Sequence, residues 1–349
     1  MITKRMQNWV LAATVAAVVA ALALSIHAVA GPAPLGQASG DAGALAQGAW
    51  TSPWVALAPD QTMTFNHNLG GDPTGYAVEL WFRDTDGGFG INRRYYGGME
   101  VAGQWFGAHW QDLTSNSIDV HRNADDTVAD RIRVRVWVPI DPPAFDSGWM
   151  DIAPGQTLSV AHDVGAAVEG LTVGLWFKSA ARGIHNYAYG GLSVDGAQEM
   201  LGAHWQNLTS TSVEVVRHAD DTDVEQVKVV VVEAAEPDYD SLNALGGWQP
   251  MLPGSAYTFE HNLNWAPESL LIRGECLDPM SLGIHQLYAG GNHGWLSAEQ
   301  FEGVSLEQST RNEITAFRFA FDEFCGKVRV RIWRRTMEIY LPLVVQNPL

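Results

Sequence analysis

The sequence predicts an all-β protein: three tandem antiparallel β-sandwich domains behind an N-terminal signal segment. Three observations lead there. The string Gly107 to Asp126, GAHWQDLTSNSIDVHRNADD, returns as Gly202 to Asp221, GAHWQNLTSTSVEVVRHADD, and in eroded form as Gly303 to Asp322, GVSLEQSTRNEITAFRFAFD. Recurrence of this kind marks a repeat architecture before any single residue is interpreted. Separate landmarks keep the same spacing: Trp54, Trp149 and Trp248 lie 95 and 99 residues apart, and so do His67, His162 and His261. Within each copy the apolar period is two, the period of strands rather than helices.

Taken in order, residues 1–30 carry Lys4 and Arg5, an apolar run from Trp9 to Val29 and a small-residue site at Ala28-Val29-Ala30, the pattern of a secretory signal peptide. The run is also long enough to span a bilayer, so an uncleaved N-terminal anchor is the alternative. Both readings place the folded part outside the cytoplasm, secreted or at the cell surface. Residues 31–49 read as a flexible spacer, 50–138 as the first repeat, 139–147 as a linker, 148–233 as the second repeat, 234–246 as a linker and 247–336 as the third repeat. The linkers are Pro-rich and acidic, as exposed connections are. The short apolar tail, 337–349, is read as packing on the third repeat.

In the first repeat Val78, Leu80 and Phe82 alternate with Ala77, Glu79 and Trp81, and near its end Ile132, Val134 and Val136 alternate with Arg131, Arg133, Arg135 and Trp137. The third repeat echoes this with Val328, Val330 and Ile332 against Arg329, Arg331 and Trp333. The second differs: Val229 to Val232 is apolar on both faces, which implies that a neighbouring repeat covers its outer side. Short alternating strands, frequent Gly/Asn/Asp turns and the absence of a helical stripe point to small antiparallel sandwiches.

The chain carries 21 Lys+Arg against 39 Asp+Glu, a formal charge of −18. Such a surface repels phosphate backbones, so nucleic acid is excluded as a partner class. Cys276 and Cys325 both fall in the third repeat. Export favours a disulfide between them, and two buried free thiols are the alternative.

The order of features in each repeat resembles the H-type lectin domain: a leading Gly-Trp, a Pro-Gly turn, a strand ending near His-Asn or His-Asp, a central apolar strand, a T-S-x-[IV]-x-V strand, an Asp-rich turn and a terminal V-x-V-x-W strand. In the second repeat Trp149, Trp205, Thr209, Ser212, Val213, Val215 and Val231 carry it. The resemblance implies a six-stranded sandwich that assembles as a trimer and binds galactose-type sugars near subunit interfaces, and hence a covalent pseudo-trimer here. No sugar-contacting residue of that family is carried over, and the Tyr-rich Gly-Gly run after Ile91 and Ile184 is an addition to its pattern.

Candidate ligand-binding residues are His109, Trp110 and Asp112 in the first repeat and His204, Trp205 and Asn207 in the second. An indole packs on the C–H face of a sugar while imidazole, amide or carboxylate groups bond its hydroxyls. The competing reading makes these residues sandwich core. The third repeat has Ser305-Leu306 at the His-Trp position, so a site belongs to the first two copies. Asn92, His185, Tyr96 and Tyr189, with His285 and Tyr288 at related places, form a second polar-aromatic candidate cluster that also reads as a packed turn around Gly-Gly. The pairs Asp125-Asp126 and Asp220-Asp221 suit either calcium or a hairpin turn. The turn is preferred, and no metal or other cofactor is assigned. Arg122, Arg217 and Arg318 stand ready to pair with those carboxylates.

Catalysis finds no support: no G-x-S-x-G, phosphate-binding Gly loop or H-E-x-x-H occurs, and the polar residues recur in parallel copies. The expected function is an exported, non-catalytic carbohydrate-binding protein whose partners are glycans or cell-surface glycoconjugates. The alternative is a structural surface or adhesion module that binds proteins and has no sugar site.

Overall fold

The strand pattern read from the period-two alternation is present throughout the computed structural model, which describes residues 48–334 apart from 102, 140–142, 195–198, 234–235, 279, 288–292 and 295–300. The expected signal segment, all but the last two residues of the spacer, Tyr288 and the tail at 337–349 lie outside the described residues. The protein is all-β. In the first copy a sheet runs in the order Ala49–Thr51, Arg131–Trp137, Ala77–Arg83, Ile91–Asn92, and Val55–Ala56 also pairs with Arg131–Trp137. A second sheet joins Gln61–Asn66, Ser117–Arg122 and Ala108–Gln111, and a hairpin of Met99–Val101 and Gln104–Phe106 follows the Gly-Gly pair. All pairings between these strands are antiparallel.

The same arrangement follows in the second copy. Its wide sheet runs Phe145–Asp151, Gln226–Glu233, Leu171–Ser179, Gly183–His185, and its narrow sheet joins Thr157–Ala161, Ser212–Arg217 and Ala203–Gln206. In the third copy the wide sheet runs Tyr239–Asp240, Lys327–Arg334, Leu270–Asp278, Gly283–His285, and the narrow sheet joins Ala256–Glu260, Glu313–Arg318 and Val304–Glu307. Between the two sheets of each copy lie the predicted apolar residues. Leu80, Phe82, Ile118, Ile132 and Val134 are fully buried in the first copy, as are Phe177, Val213, Val215, Val227 and Val229 in the second. Each such side chain contributes about 1.5–3 kcal/mol of transfer free energy.

The first strand of the second and third copies begins inside the segments expected as linkers, at Phe145 and Tyr239. A motif explains this: Trp50-Thr51-Ser52, Phe145-Asp146-Ser147 and Tyr239-Asp240-Ser241 each place a serine hydroxyl where it accepts the N–H of Val134, Val229 or Val330 at 2.9 Å. The aromatic ring ahead of it packs 6.2–6.4 Å from the landmark histidine, His67, His162 or His261. The one α-helix among the described residues, Ser241–Ala244, follows the third motif and is capped by Asp240, whose carboxylate accepts the Leu242 N–H.

The arginine before the Asp turn is buried in every copy and makes the same bonds. Arg217 donates through Nε to Asp221 Oδ2 at 2.8 Å, through one terminal nitrogen to the Ile152 carbonyl and through the other to the Asp221 carbonyl. Asp221 also accepts N–H groups from Gly202 and Val224. Arg122–Asp126 and Arg318–Asp322 repeat this at 2.7 Å. These carboxylates are saturated within the protein, which supports the turn reading over calcium. The exposed-pair magnitude of under about 1 kcal/mol does not apply, because removing one partner of a buried pair costs about 3–5 kcal/mol.

Cys276 and Cys325 form a disulfide, with their Cα atoms 5.0 Å apart. By strand register Cys276 occupies the place of Phe82 and Phe177, and Cys325 that of Ala129 and Val224. The bond stands where a phenyl ring fills the core in the other two copies.

Residues of all three copies fall in one compact unit, Gly40–Leu349, and the backbone shows how they join. Between the first and second copies, Asp112 and Leu113 donate to the carbonyls of Arg182 and Ile184, and Asn186 donates to that of Trp110. Between the second and third, Asn207 and Leu208 donate to Leu282 and Ile284, and Gln286 to Trp205. Between the third and first, Gln308 and Ser309 donate to Phe89 and Ile91, and Arg93 to Leu306. The three junctions use equivalent positions and close a ring. Each covers an edge strand that would otherwise present unpaired N–H and C=O groups.

Candidate functional site: the cavity enclosed by the ring

Where the three wide sheets turn their outer faces to one another they enclose a cavity of 490 Å³. Strand register sorts the facing residues into layers. The outermost holds Ala77, Thr172 and Leu271 beside Trp137, Val232 and Trp333. Val232 is 40 % exposed, so this end faces solvent. The next layer has Glu79, Gly174 and Arg273, and the third has Trp81, Trp176 and Glu275. Gly174 adds no side chain to its layer, and the edge of the Trp176 indole covers that place: a Cβ on Gly174 would lie 2.7 Å from it. Val230 lines the same space, so the doubly apolar run in the second copy faces the cavity and the neighbouring copies, as its sequence implied.

Charge is concentrated in the cavity wall, at Arg93, Lys228, Arg273 and Glu275, and in the layer behind it, at Glu79 and Arg135. Glu79 lies 3.0 Å from Arg93, 3.8 Å from Arg135 and 3.9 Å from Arg273. Arg93 also stacks on Trp81, its guanidinium carbon 4.1 Å from the ring centre. Burial pulls the Arg93 pKa down from its ordinary value while Glu79 opposes that shift. Glu275 is matched by Arg331 and, at 3.8 Å, by Arg329, and Lys228 by Asp146 at 2.7 Å. Cations of the last strands also tie the ring together. Arg135 donates to the Glu268 carbonyl, Arg331 to those of Glu169 and Leu171, and Lys228 to that of Thr74, each on a different copy.

The predicted His-Trp residues lie in the interior. Trp110 is 2 % exposed and Trp205 1 %, and His109 and His204 are buried with them. Trp81 is buried too, and Trp176 half-buried. No broad indole face is open to a surface sugar at Trp110 or Trp205, so the surface-stacking role expected of them is replaced by a junction role. The Trp205 indole N–H donates to Gln286 Oε1 of the third copy at 2.9 Å, and the Trp110 main-chain N–H donates to Asn186 Oδ1 of the second at 2.7 Å. His109 packs edge-on against Tyr187, ring centres 4.9 Å apart. His204 lies 3.3 Å from His218 and 3.1 Å from Gln206 through its two ring nitrogens.

Asp112 and Asn207 have left-handed backbones, φ 50° and 51°, matched by Gln308 at 49°. Asp and Asn tolerate that region better than most residues. The turn aims their N–H at the next copy, while their side chains stay on the outer rim. Asp112 is exposed near Arg182, and the Asn207 amide donates to Glu214 at 2.8 Å. Arg182 itself pairs with Asp223 at 2.8 Å, donates to Gln111 at 3.0 Å and stacks on Tyr187 at 4.0 Å.

The second cluster divides. Asn92 and His185, with His285, are fully buried and share one structural task. Each accepts the main-chain N–H two residues on and donates to the carbonyl of Val128, Asp223 or Phe324 beside the Asp turn. They are removed from the ligand-binding candidates because both polar ends are consumed by the backbone. Tyr96 and Tyr189 do line the cavity, their ring centres 5.9 Å apart. The Gly-Gly pair between them and the hairpin is a close approach. A Cβ on Gly97 would lie 2.9 Å from the Tyr189 nitrogen of the next copy.

Arg93, Glu79, Arg273 and Gly174 escaped the sequence reading as site residues. Their signal was the substitution of Glu, Gly and Arg at one repeat position. No protein-family model, curated protein or solved structure matches this chain, so the likeness to H-type lectin domains rests on the residues quoted for it.

Proposed function

We propose that this protein is an exported, non-catalytic carbohydrate-binding protein of lectin-like type, a covalent pseudo-trimer that presents shallow polar sites at the outer rims of its junctions. The observation that carries the reading is the closed ring of equivalent backbone hydrogen bonds linking copy to copy. It is the arrangement implied by resemblance to a domain that works as a trimer. Sugar hydroxyls are suited to the Asp112, Gln111 and Arg182 groups at the first junction and to Asn207, Gln206 and Glu214 at the second, in place of the buried indoles. Weak sites on one rigid body gain strength by avidity on a clustered glycan surface.

The test is a glycan array probed with the purified protein and with Asp112→Ala/Asn207→Ala. Binding to a defined set of glycans that falls at least tenfold in the variant supports the rim sites. A silent array with folded protein overturns the reading. The burial of Trp110 and Trp205 favours a second reading, a structural surface or adhesion module that contacts proteins, and that silent outcome would leave it standing.

A further inference from the structure

We propose that the central cavity is a separate binding site for a small organic anion with an apolar, ring-sized body. Its volume, 490 Å³, lies within the roughly 300–1,000 Å³ of small-molecule sites. The walls offer Tyr96, Tyr189, Trp176, Val230 and Leu271 to such a body.

Two hydrogen-bond donors left over in the wall lie at the first junction. The Trp110 Nε1–H and the Asn186 Nδ2 amide, on residues only 2 % exposed, have no hydrogen-bond partner among the described residues. Burying such donors without an acceptor costs free energy. The neighbouring junction shows the contrast. There Gln286 Oε1 accepts from the indole of Trp205 and also from the Tyr189 hydroxyl. At the first junction Asn186, one methylene shorter, has its Oδ1 occupied by the Trp110 main-chain N–H. Trp110 and Asn186 therefore present donors to the cavity that await an acceptor.

Charge points the same way. Arg93, Arg135 and Arg273 surround the single carboxylate of Glu79, whereas Lys228 and Glu275 already have counter-ions. Within a chain of formal charge −18, this pocket is locally cationic. A carboxylate or sulfonate would satisfy indole, amide and guanidinium together, and its apolar part would lie against the Trp176 indole that covers Gly174. The half-buried Trp137 and Trp333 and the exposed Val232 form the entrance.

The experiment compares three probes of one shape by titration calorimetry on the purified full chain: 2-naphthoate, 2-naphthalenemethanol and 2-naphthylmethylammonium. The expected order is carboxylate tightest, alcohol at least tenfold weaker and ammonium undetectable. Trp110→Phe and Arg273→Gln should each weaken the carboxylate at least fivefold, with circular dichroism confirming the fold. Arg273 has a side chain 25 % exposed, so its substitution keeps the test valid if the buried Trp110 variant fails to fold. Equal affinity for the three probes, preference for the ammonium, no carboxylate binding at millimolar concentration, or binding indifferent to Arg273→Gln would each overturn the proposal. The glycan array reads the outer rim, so its failure and the failure of this site are separately visible.

Discussion

At His204 both ring nitrogens are committed to neighbours, and burial, followed by the nearby His218, pushes its pKa down to about 3. Burial and Arg182 take His185 down to about 4, and burial with Arg182 and His121 holds His109 well below its ordinary value. All three are neutral in the folded protein at pH 7. In the unfolded chain they titrate near pH 6.5, so below that value the unfolded state binds more protons and stability falls with pH. Their contribution is complete above pH 6.5 and is lost as pH drops toward about 4. Thermal melts should therefore show the midpoint falling between pH 6.5 and 5, above the range where ordinary carboxylates titrate. His204→Gln should flatten that slope. An unchanged slope would mean that His204 is solvated.

At the scale of single elements, the strand from Leu270 to Asp278 shows how one copy solved a packing problem differently. It has Gly274 where the first two copies have Leu80 and Leu175, and Cys276 where they have phenylalanine. The disulfide spans a sequence separation of 49, for which loop-closure entropy gives about 4 kcal/mol. Cys276→Ser/Cys325→Ser should lose several kcal/mol in urea denaturation. Cys276→Phe/Cys325→Ala, which restores the side chains of the first copy, should recover part of that loss. Recovery of nothing would show that the Phe–Ala pair does not fit the third core. Core residues of this kind were legible beforehand because each sandwich buries its own alternating face. Trp110 and Trp205 were legible too under the sandwich-core reading, since each packs in the apolar cluster of its own copy. Arg135 and Arg331 were not, because the carbonyls they bond belong to another copy and leave no periodicity in the strand itself. Phe145 and Tyr239 were missed for a different reason: their strands are short or bulged around a serine, and only the repeated aromatic-x-Ser motif reveals them.

Across the whole molecule, closure of the ring means that the covalent connections between copies are not what keeps them together. Each copy bonds through its backbone to both others, and arginines or a lysine from each reach the carbonyls of a neighbour. Limited proteolysis within 139–147 or 234–246 should leave fragments that separate on a denaturing gel yet elute together from a sizing column. Release of single copies under native conditions would contradict the ring.

The layer that holds Glu79, Gly174 and Arg273 has one more consequence. An assembly of three identical subunits must repeat every axial residue three times, so it offers at its centre three carboxylates, three guanidiniums or three glycines, and never one of each. Stringing the copies on one chain lifts that restriction. Symmetry can then be broken at a single position without disturbing the junctions, and the centre becomes a place able to hold one molecule in one orientation.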